Sequence, residues 1–141
     1  MTAGDADVKS EPGASRVAVL DASAVLVWLR REPGAEFVDR HLAIGVISAA
    51  NWSETWQKLA QHGVDADRAT RRLATLGLRV EPLTQEDAVH AARLWPVARK
   101  AGLSLGDRCC LALAHRLAAP AVTADAAWAH LDLAVPVEVI R

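Results

Sequence analysis

Short apolar runs and amphipathic stretches take turns along this chain from residue 17 onward. Val17 to Leu20 form a continuous apolar run that stops at Asp21, the pattern of a strand buried on both faces. Ala22 to Arg31 reads as a helix closed by the turn at Pro33-Gly34, and Ala35 to His41 as a second, shorter one. Ile44 to Ile47 is β-branched enough for the next strand. From Ala49 to Gln61, Trp52, Trp56, Leu59 and Ala60 recur at helical spacing, and Gly63 ends the run. Ala66 to Leu76 predicts another helix, with Arg68, Arg71 and Arg72 on one side and Gly77 as its stop. Leu78 to Pro82 predicts a strand, and Thr84 to Lys100 a long helix that Pro96 should kink or interrupt, because proline lacks the N–H the helix needs. Leu105 to Leu117 follows as a helix and Ala121 to Thr123 as a strand ending near Asp125. Ala126 to Leu131 predicts a short helix, and Val137 to Ile140 an edge strand.

Strands and helices alternating in this way, with no internal repeat, predict an α/β three-layer sandwich around a mainly parallel sheet. In open sheets of that class the functional site lies beyond the carboxyl ends of the strands. A chain of 141 residues holds one hydrophobic core and therefore one domain, assigned to residues 16–141. The preceding segment, MTAGDADVKSEPGAS, mixes acids with Gly and Pro; it reads as a flexible tail and lacks the basic-then-apolar order of a secretory signal.

Hydrophobic residues make up 52% of the chain and charged residues 23%, a balance that can close a core and is unlike that of a disordered chain. The net charge of -1 means that any attraction for phosphate backbones must come from a local basic patch. The apolar runs at 17–20, 24–29 and 109–114 fall far short of the roughly 20 residues that cross a bilayer. Cys109 and Cys110 are neighbours in an apolar stretch, poor geometry for a structural disulfide, and read as small packed side chains in a cytoplasmic protein.

Asp21 and Asp125 each directly follow a predicted strand, where the site of such a sheet would lie. Glu54 stands among Trp52, Trp56 and Leu59, and Asp107 just ahead of Cys110, Leu111 and Ala114. Each acid also reads as a helix cap. Asp21 and Asp125 precede predicted helices, while Asp107 stands three residues after Ser104 and Glu54 three after Asn51, the capping-box spacing.

Chemistry supplies a reason to gather them. Two carboxylates about 5 Å apart repel by roughly 3 kcal/mol at an effective dielectric of about 20, so a cluster calls for positive charge. An oxygen-only ligand set suits Mg²⁺ or Mn²⁺, which can activate water for attack on a phosphodiester. Ser23 and Thr123, beside the two strand-end acids, are candidates to orient ligands or water, or else local cap hydroxyls.

The motifs VLDASAVL, SAANWSETW, LSLGDRCCLALA and VTADAAW, which carry Asp21, Glu54, Asp107 and Asp125, resemble in order and spacing those of PIN-domain nucleases. The match runs from about residue 16 to the last residue. The REPGAE turn and the chain's size are similar to the VapC toxins of bacterial type II toxin-antitoxin pairs. That resemblance implies a strand order of 3-2-1-4-5, a Mg²⁺-dependent endoribonuclease (with Mn²⁺ as a substitute), a VapB-type antitoxin bound over the active-site groove, and a homodimer. It makes Asp21, Asp107 and Asp125 direct metal ligands, with Glu54 binding through water or positioning it. The family often carries a further acid or polar residue near the last motif. Here Ala124 and Ala126 flank Asp125, which leaves one metal ion or two open.

The five histidines show no paired ligand spacing and the two cysteines are adjacent, so no zinc motif can be assembled. Neither a phosphate-binding G-x-x-x-x-G-K-[ST] loop nor a G-x-S-x-G elbow is present. Most of the five tryptophans read as core, and Trp28, Trp52 and Trp56 as packing or a dimer surface. Arg68, Arg71 and Arg72 read as a solvated face, and Arg108, next to Asp107, as a candidate RNA contact. Two other functions fit the same acids. One is a noncatalytic, metal-stabilised interaction module, and the other an aspartyl-phosphate enzyme with Asp21 as nucleophile.

Overall fold

The structure, a computed structural model, describes residues 16–141. The tail expected over residues 1–15 lies outside the described residues. In chain order the elements are β1 (Ala18–Leu20), α1 (Ala22–Leu29), α2 (Ala35–Asp39), a 3-10 turn (Leu42–Ile44), β2 (Gly45–Ser48), α3 (Ala49–Gln61), α4 (Ala66–Thr75) and β3 (Arg79–Glu81). Then come α5 (Gln85–Arg93), α6 (Trp95–Ala101), α7 (Leu105–Leu117), β4 (Ala121–Thr123), a 3-10 helix (Ala126–His130) and β5 (Val137–Val139).

The strands form one five-stranded sheet in the order β3-β2-β1-β4-β5, and every pair is parallel. The α/β sandwich expected from the alternation of elements and the 3-2-1-4-5 order implied by the resemblance are both present. Parallel neighbours require crossovers, and helical segments lie between successive strands. The three central strands carry apolar side chains on both faces. Ala18, Leu20, Ile47 and Val122 point into a core with Val25 and Trp28 of α1, Val38 of α2 and Leu73 of α4. Val19, Val46 and Ala121 point the other way, into a core with Ala98 of α6 and Cys110, Leu111 and Ala114 of α7. This alternation is the two-residue period of a strand buried between two helical layers.

Pro96 divides the long helix expected over residues 84–100. Leu94 closes α5 and opens α6, and proline sits in the first turn of α6, where no helical partner would await its missing N–H. Ile44, expected in a strand, belongs to the 3-10 turn and is exposed, because the ladder with β1 begins at the Ala18 and Gly45 pair. Gly34 has φ +103°, and a Cβ there would stand 2.6 Å from the Ile140 carbonyl oxygen. Only glycine allows the α1–α2 turn to press on the chain leaving β5. That contact brings Arg141 to Glu32, with Nη1 2.8 Å from Oε1.

Cys109 and Cys110 are free and buried, as their surroundings suggested. Trp28 and Trp128 are core residues, whereas Trp95 is 53% exposed beneath the guanidinium of Arg108. Arg72 of the exposed α4 face lies over the Trp28 ring at 4.8 Å. Among the described residues no helix is long and apolar enough to cross a membrane.

One acid outside the quartet is buried. Asp87 is 2% exposed and receives Arg116 Nε at 2.9 Å, while Thr84 and Asp87 form the capping box of α5. Burial by itself would raise this carboxyl, but the hydrogen bonds from Arg116 and the Thr84 backbone outweigh it and hold Asp87 below the usual value. Arg116→Ala is therefore expected to destabilise the fold by about 1–3 kcal/mol near neutral pH, where it strands an ionised carboxylate. A depressed carboxyl contributes its stability above the unfolded pKa and loses it as pH falls through the folded one. Thermal melts should accordingly show the difference from wild type shrinking below about pH 4.

Candidate functional site

The carboxyl edge of the sheet carries a network that joins two neighbouring strands. Asp21 leaves β1 directly and is 3% exposed. Its Oδ1 accepts the Ala24 N–H at 2.9 Å, capping α1, and the Ser23 hydroxyl at 2.7 Å. Its Oδ2 accepts the Thr123 hydroxyl at 2.7 Å from the end of β4. Ser23 Oγ in turn accepts the Ala124 N–H at 2.9 Å, and Thr123 Oγ1 the Asp125 N–H at 3.0 Å. Ser23 and Thr123 thus stitch the end of β1 to the turn that carries Asp125.

Asp107 enters from α7. Its Oδ2 accepts the Ser104 N–H at 2.9 Å while the Ser104 hydroxyl accepts its N–H at 3.1 Å. Asp125 Oδ1 accepts the Ala127 N–H at 3.0 Å. Capping and cleft-lining are therefore not alternatives for Asp21, Asp107 and Asp125. Glu54 is different, because α3 begins at Ala49 with Ser48 as its cap, and Glu54 lies beyond the capping-box position.

Sequence reasoning missed the residue that positions Glu54. Asn51, fully buried, donates its Nδ2 to the Gly106 carbonyl at 3.1 Å, lies 3.5 Å from Glu54 Oε1, and accepts the Ser48 hydroxyl at 2.6 Å. It locks α3 to the start of α7. Gly106 completes the contact, since a Cβ there would stand 3.1 Å from Glu54 Oε1. The visible signal was only an asparagine in the first turn of an amphipathic helix, which reads as a cap.

Asp21, Glu54, Asp107 and Asp125 all line one cleft of about 310 Å³, together with Ser23 and the cations Arg30, Lys58 and Arg141. A larger hollow of about 630 Å³ lies over Trp28, Asp39 and Arg72 and shares Glu32 with it. Arg108 does not line the acidic cleft; its Nη1 donates to the Ala91 carbonyl at 3.0 Å and its guanidinium lies 5.7 Å from the Trp95 ring centre.

Electrostatics mark the cleft as strained in charge. Burial raises the Asp21 carboxyl to about 6 against its three hydrogen bonds, and the charge of Asp107 adds to the rise. Burial also raises Asp107, with the charge of Asp125 acting in the same sense against the Ser104 bonds. As placed, the acids line the cleft without converging on one point: among the described residues no group of three His, Cys, Asp or Glu already stands as a ligand set. The donors nonetheless fit a hard cation. They are all oxygens, and among the described residues no hydrogen bond reaches Asp107 Oδ1, Asp125 Oδ2 or Glu54 Oε2.

The sequence profile of the PIN domain matches residues 18–133. The chain belongs to the PIN-domain family. No curated protein matches it by sequence alone. Among solved structures, VapBC2 from Rickettsia felis, bound to a promoter DNA fragment, superposes with a TM-score of 0.68 at 13% identity, over 89% of this chain and 99% of that one. FitAcB from Neisseria gonorrhoeae gives 0.67 at 20% identity, over 86% and 96%. Mycobacterium tuberculosis VapC20, a sarcin-ricin loop cleaving toxin, gives 0.63 at 17% identity, over 85% and 100%. At these identities the likeness is one of fold. Within that fold, the PIN domain of this chain carries its acids on the same edge that its own strand ends define.

A carboxyl raised in the fold makes the metal-free protein less stable once it ionises. The Asp21 contribution is fully present below about pH 4 and lost as pH rises through about 6, a swing on the order of 3 kcal/mol. With chelator present, Asp21→Asn should flatten that dependence, so that its melting temperature relative to wild type is higher at pH 7.5 than at pH 4. Parallel curves for the two proteins would show that Asp21 ionises as freely in the fold as outside it.

Proposed function

We propose that this PIN-domain protein is a divalent-metal-dependent endoribonuclease, the VapC-type toxin of a type II toxin-antitoxin pair, acting in the cytoplasm. The observation that carries the reading is that Asp21, Glu54, Asp107 and Asp125, from four separate elements, all line one cleft. Capping hydrogen bonds, buried at Asp21 and exposed at Asp107 and Asp125, fix three of them, and among the described residues Asp107 Oδ1, Asp125 Oδ2 and Glu54 Oε2 accept no hydrogen bond. Similar folds include a toxin named for cleaving the sarcin-ricin loop and complexes of the VapBC type, which supports RNA as substrate and a VapB-type antitoxin as partner. A homodimer is part of the same proposal.

Mg²⁺ or Mn²⁺, when bound, supplies an activated water and neutralises the charge that develops on the scissile phosphate. Asp21, Asp107 and Asp125 would hold the ion directly and Glu54 through water. Asp21 is restrained by Ser23, Ala24 and Thr123, so its carboxylate is oriented before any ligand arrives. Ser23 and Thr123 spend their hydroxyls on that restraint. In this scheme a water oxygen bonds to the phosphorus as one P–O ester bond of the RNA breaks, the departing ribose oxygen takes up a proton, and no covalent enzyme intermediate forms.

Cleavage of a panel of structured and single-stranded RNAs, with Mg²⁺, Mn²⁺ or chelator, tests this. Cutting should require the ion and fall at least about a hundredfold in Asp21→Asn. Undiminished cutting by that variant, free of contaminating nuclease, would sink the proposal. Metal-dependent stabilisation without turnover of any RNA would favour a noncatalytic module instead.

A further inference from the structure

The acidic cleft changes sign along its length. Both helices that wall it start at the carboxyl edge of the sheet, α1 capped by Asp21 and α3 by Ser48, and the two pack against each other. Along α1 the lining passes from Asp21 through Leu26 and Val27 to Arg30 at the far end, roughly 13 Å away at 1.5 Å per residue. Along α3 it passes from Glu54 to Lys58, one turn or roughly 6 Å further on. The cleft thus has a carboxylate end and an end where Arg30, Lys58 and Arg141 outnumber the single acid Glu32.

The cations of the cleft differ in whether they pair with an acid. Arg141 does pair, with Glu32 at 2.8 Å. Among the described residues, Arg30 and Lys58 make neither an ion pair nor a side-chain hydrogen bond, although carboxylates line the same cleft. Lys58 is half-buried and Arg30 exposed, and both line the cleft. A polyanion faces repulsion from the carboxylate end and attraction from the cationic one. A chain of net charge -1 has no general pull on phosphate, which makes a local pair of unengaged cations the feature able to supply it.

We propose that Arg30 and Lys58 form a phosphate-binding flank that holds the backbone of a single-stranded RNA along the α1–α3 cleft and presents one phosphodiester to the acids. Single-stranded RNA is the form that fits, because a cleft of about 310 Å³ between two packed helices is too small for a duplex. Arg30 offers a planar fork to one phosphate and Lys58 a mobile point charge to another. Both act as positioning residues, and Arg108, engaged with Ala91 and Trp95, takes no part. The flank rests on the nuclease reading.

Fluorescence anisotropy with a labelled, mixed-sequence single-stranded oligoribonucleotide tests it, in Ca²⁺ and at several KCl concentrations, for wild type, Arg30→Gln, Lys58→Gln and the double variant. Each single change should weaken binding roughly threefold to tenfold and lower the slope of log affinity against log salt by about 0.7. Mn²⁺ affinity by calorimetry and the melting temperature should stay at wild-type values. Variants that bind RNA like wild type, with the same slope, would overturn the flank while leaving the nuclease reading intact. Variants whose Mn²⁺ affinity or melting temperature shifts along with RNA binding would overturn it too, showing the cations to be neutralisers of the acid cluster. A wild-type chain that binds no RNA would remove both readings together.

Discussion

Bringing negative charge to one place at the edge of an apolar sheet is the constraint around which this protein is organised. Asp21 is the centre of it, a carboxylate buried to 3% at the end of β1, with Asp107 close enough to raise its pKa further. Left unsupported, such a group would be driven out to solvent or neutralised. It stays because three donors from α1 and β4 converge on it. Two of them, the Ser23 and Thr123 hydroxyls, also fix the turn that bears Asp125, so the support for one acid is also the placement of the next.

The outer layers serve that edge. Parallel strands present their carboxyl ends on one side, which is why acids far apart in the chain arrive together. Asn51 performs for α3 and α7 what Ser23 and Thr123 perform for the strands, tying Glu54 to the helix that carries Asp107. On the opposite side of α7, the Arg116 and Asp87 pair anchors α5 by a buried ionic contact with no link to the cleft. Charge is thus used in two ways in one small domain. Around Asp87 it is balanced within the fold, and around Asp21 it is left unbalanced, which is the state that attracts a cation.

The strand-end position of Asp21 and Asp125 was legible because a strand buried on both faces must end where its apolar run ends, and each acid stands at that point. Asp107 was legible through Ser104 and an apolar helix, since a capping box has a fixed spacing. Glu54 offered two readings, and only the true start of α3 at Ala49 removed the cap. Asn51 read only as a cap, and Gly106 gave no signal. Their roles depend on a contact between segments 55 residues apart, which no local spacing encodes.

Composition and patterning by themselves determined the fold class, most element positions, the interruption at Pro96 and the acids that cluster, because strand and helix periods, caps and proline geometry are local properties of the chain. Tertiary structure alone decided what each charge faces. It buried Asp87 against Arg116, turned Arg108 toward Trp95, paired Arg141 with Glu32, and left Arg30 and Lys58 on the wall of the acidic cleft with no ion pair among the described residues. The physical reason is that a side chain's partner is set by the packing of elements distant in sequence, whereas its secondary structure is set largely by its neighbours.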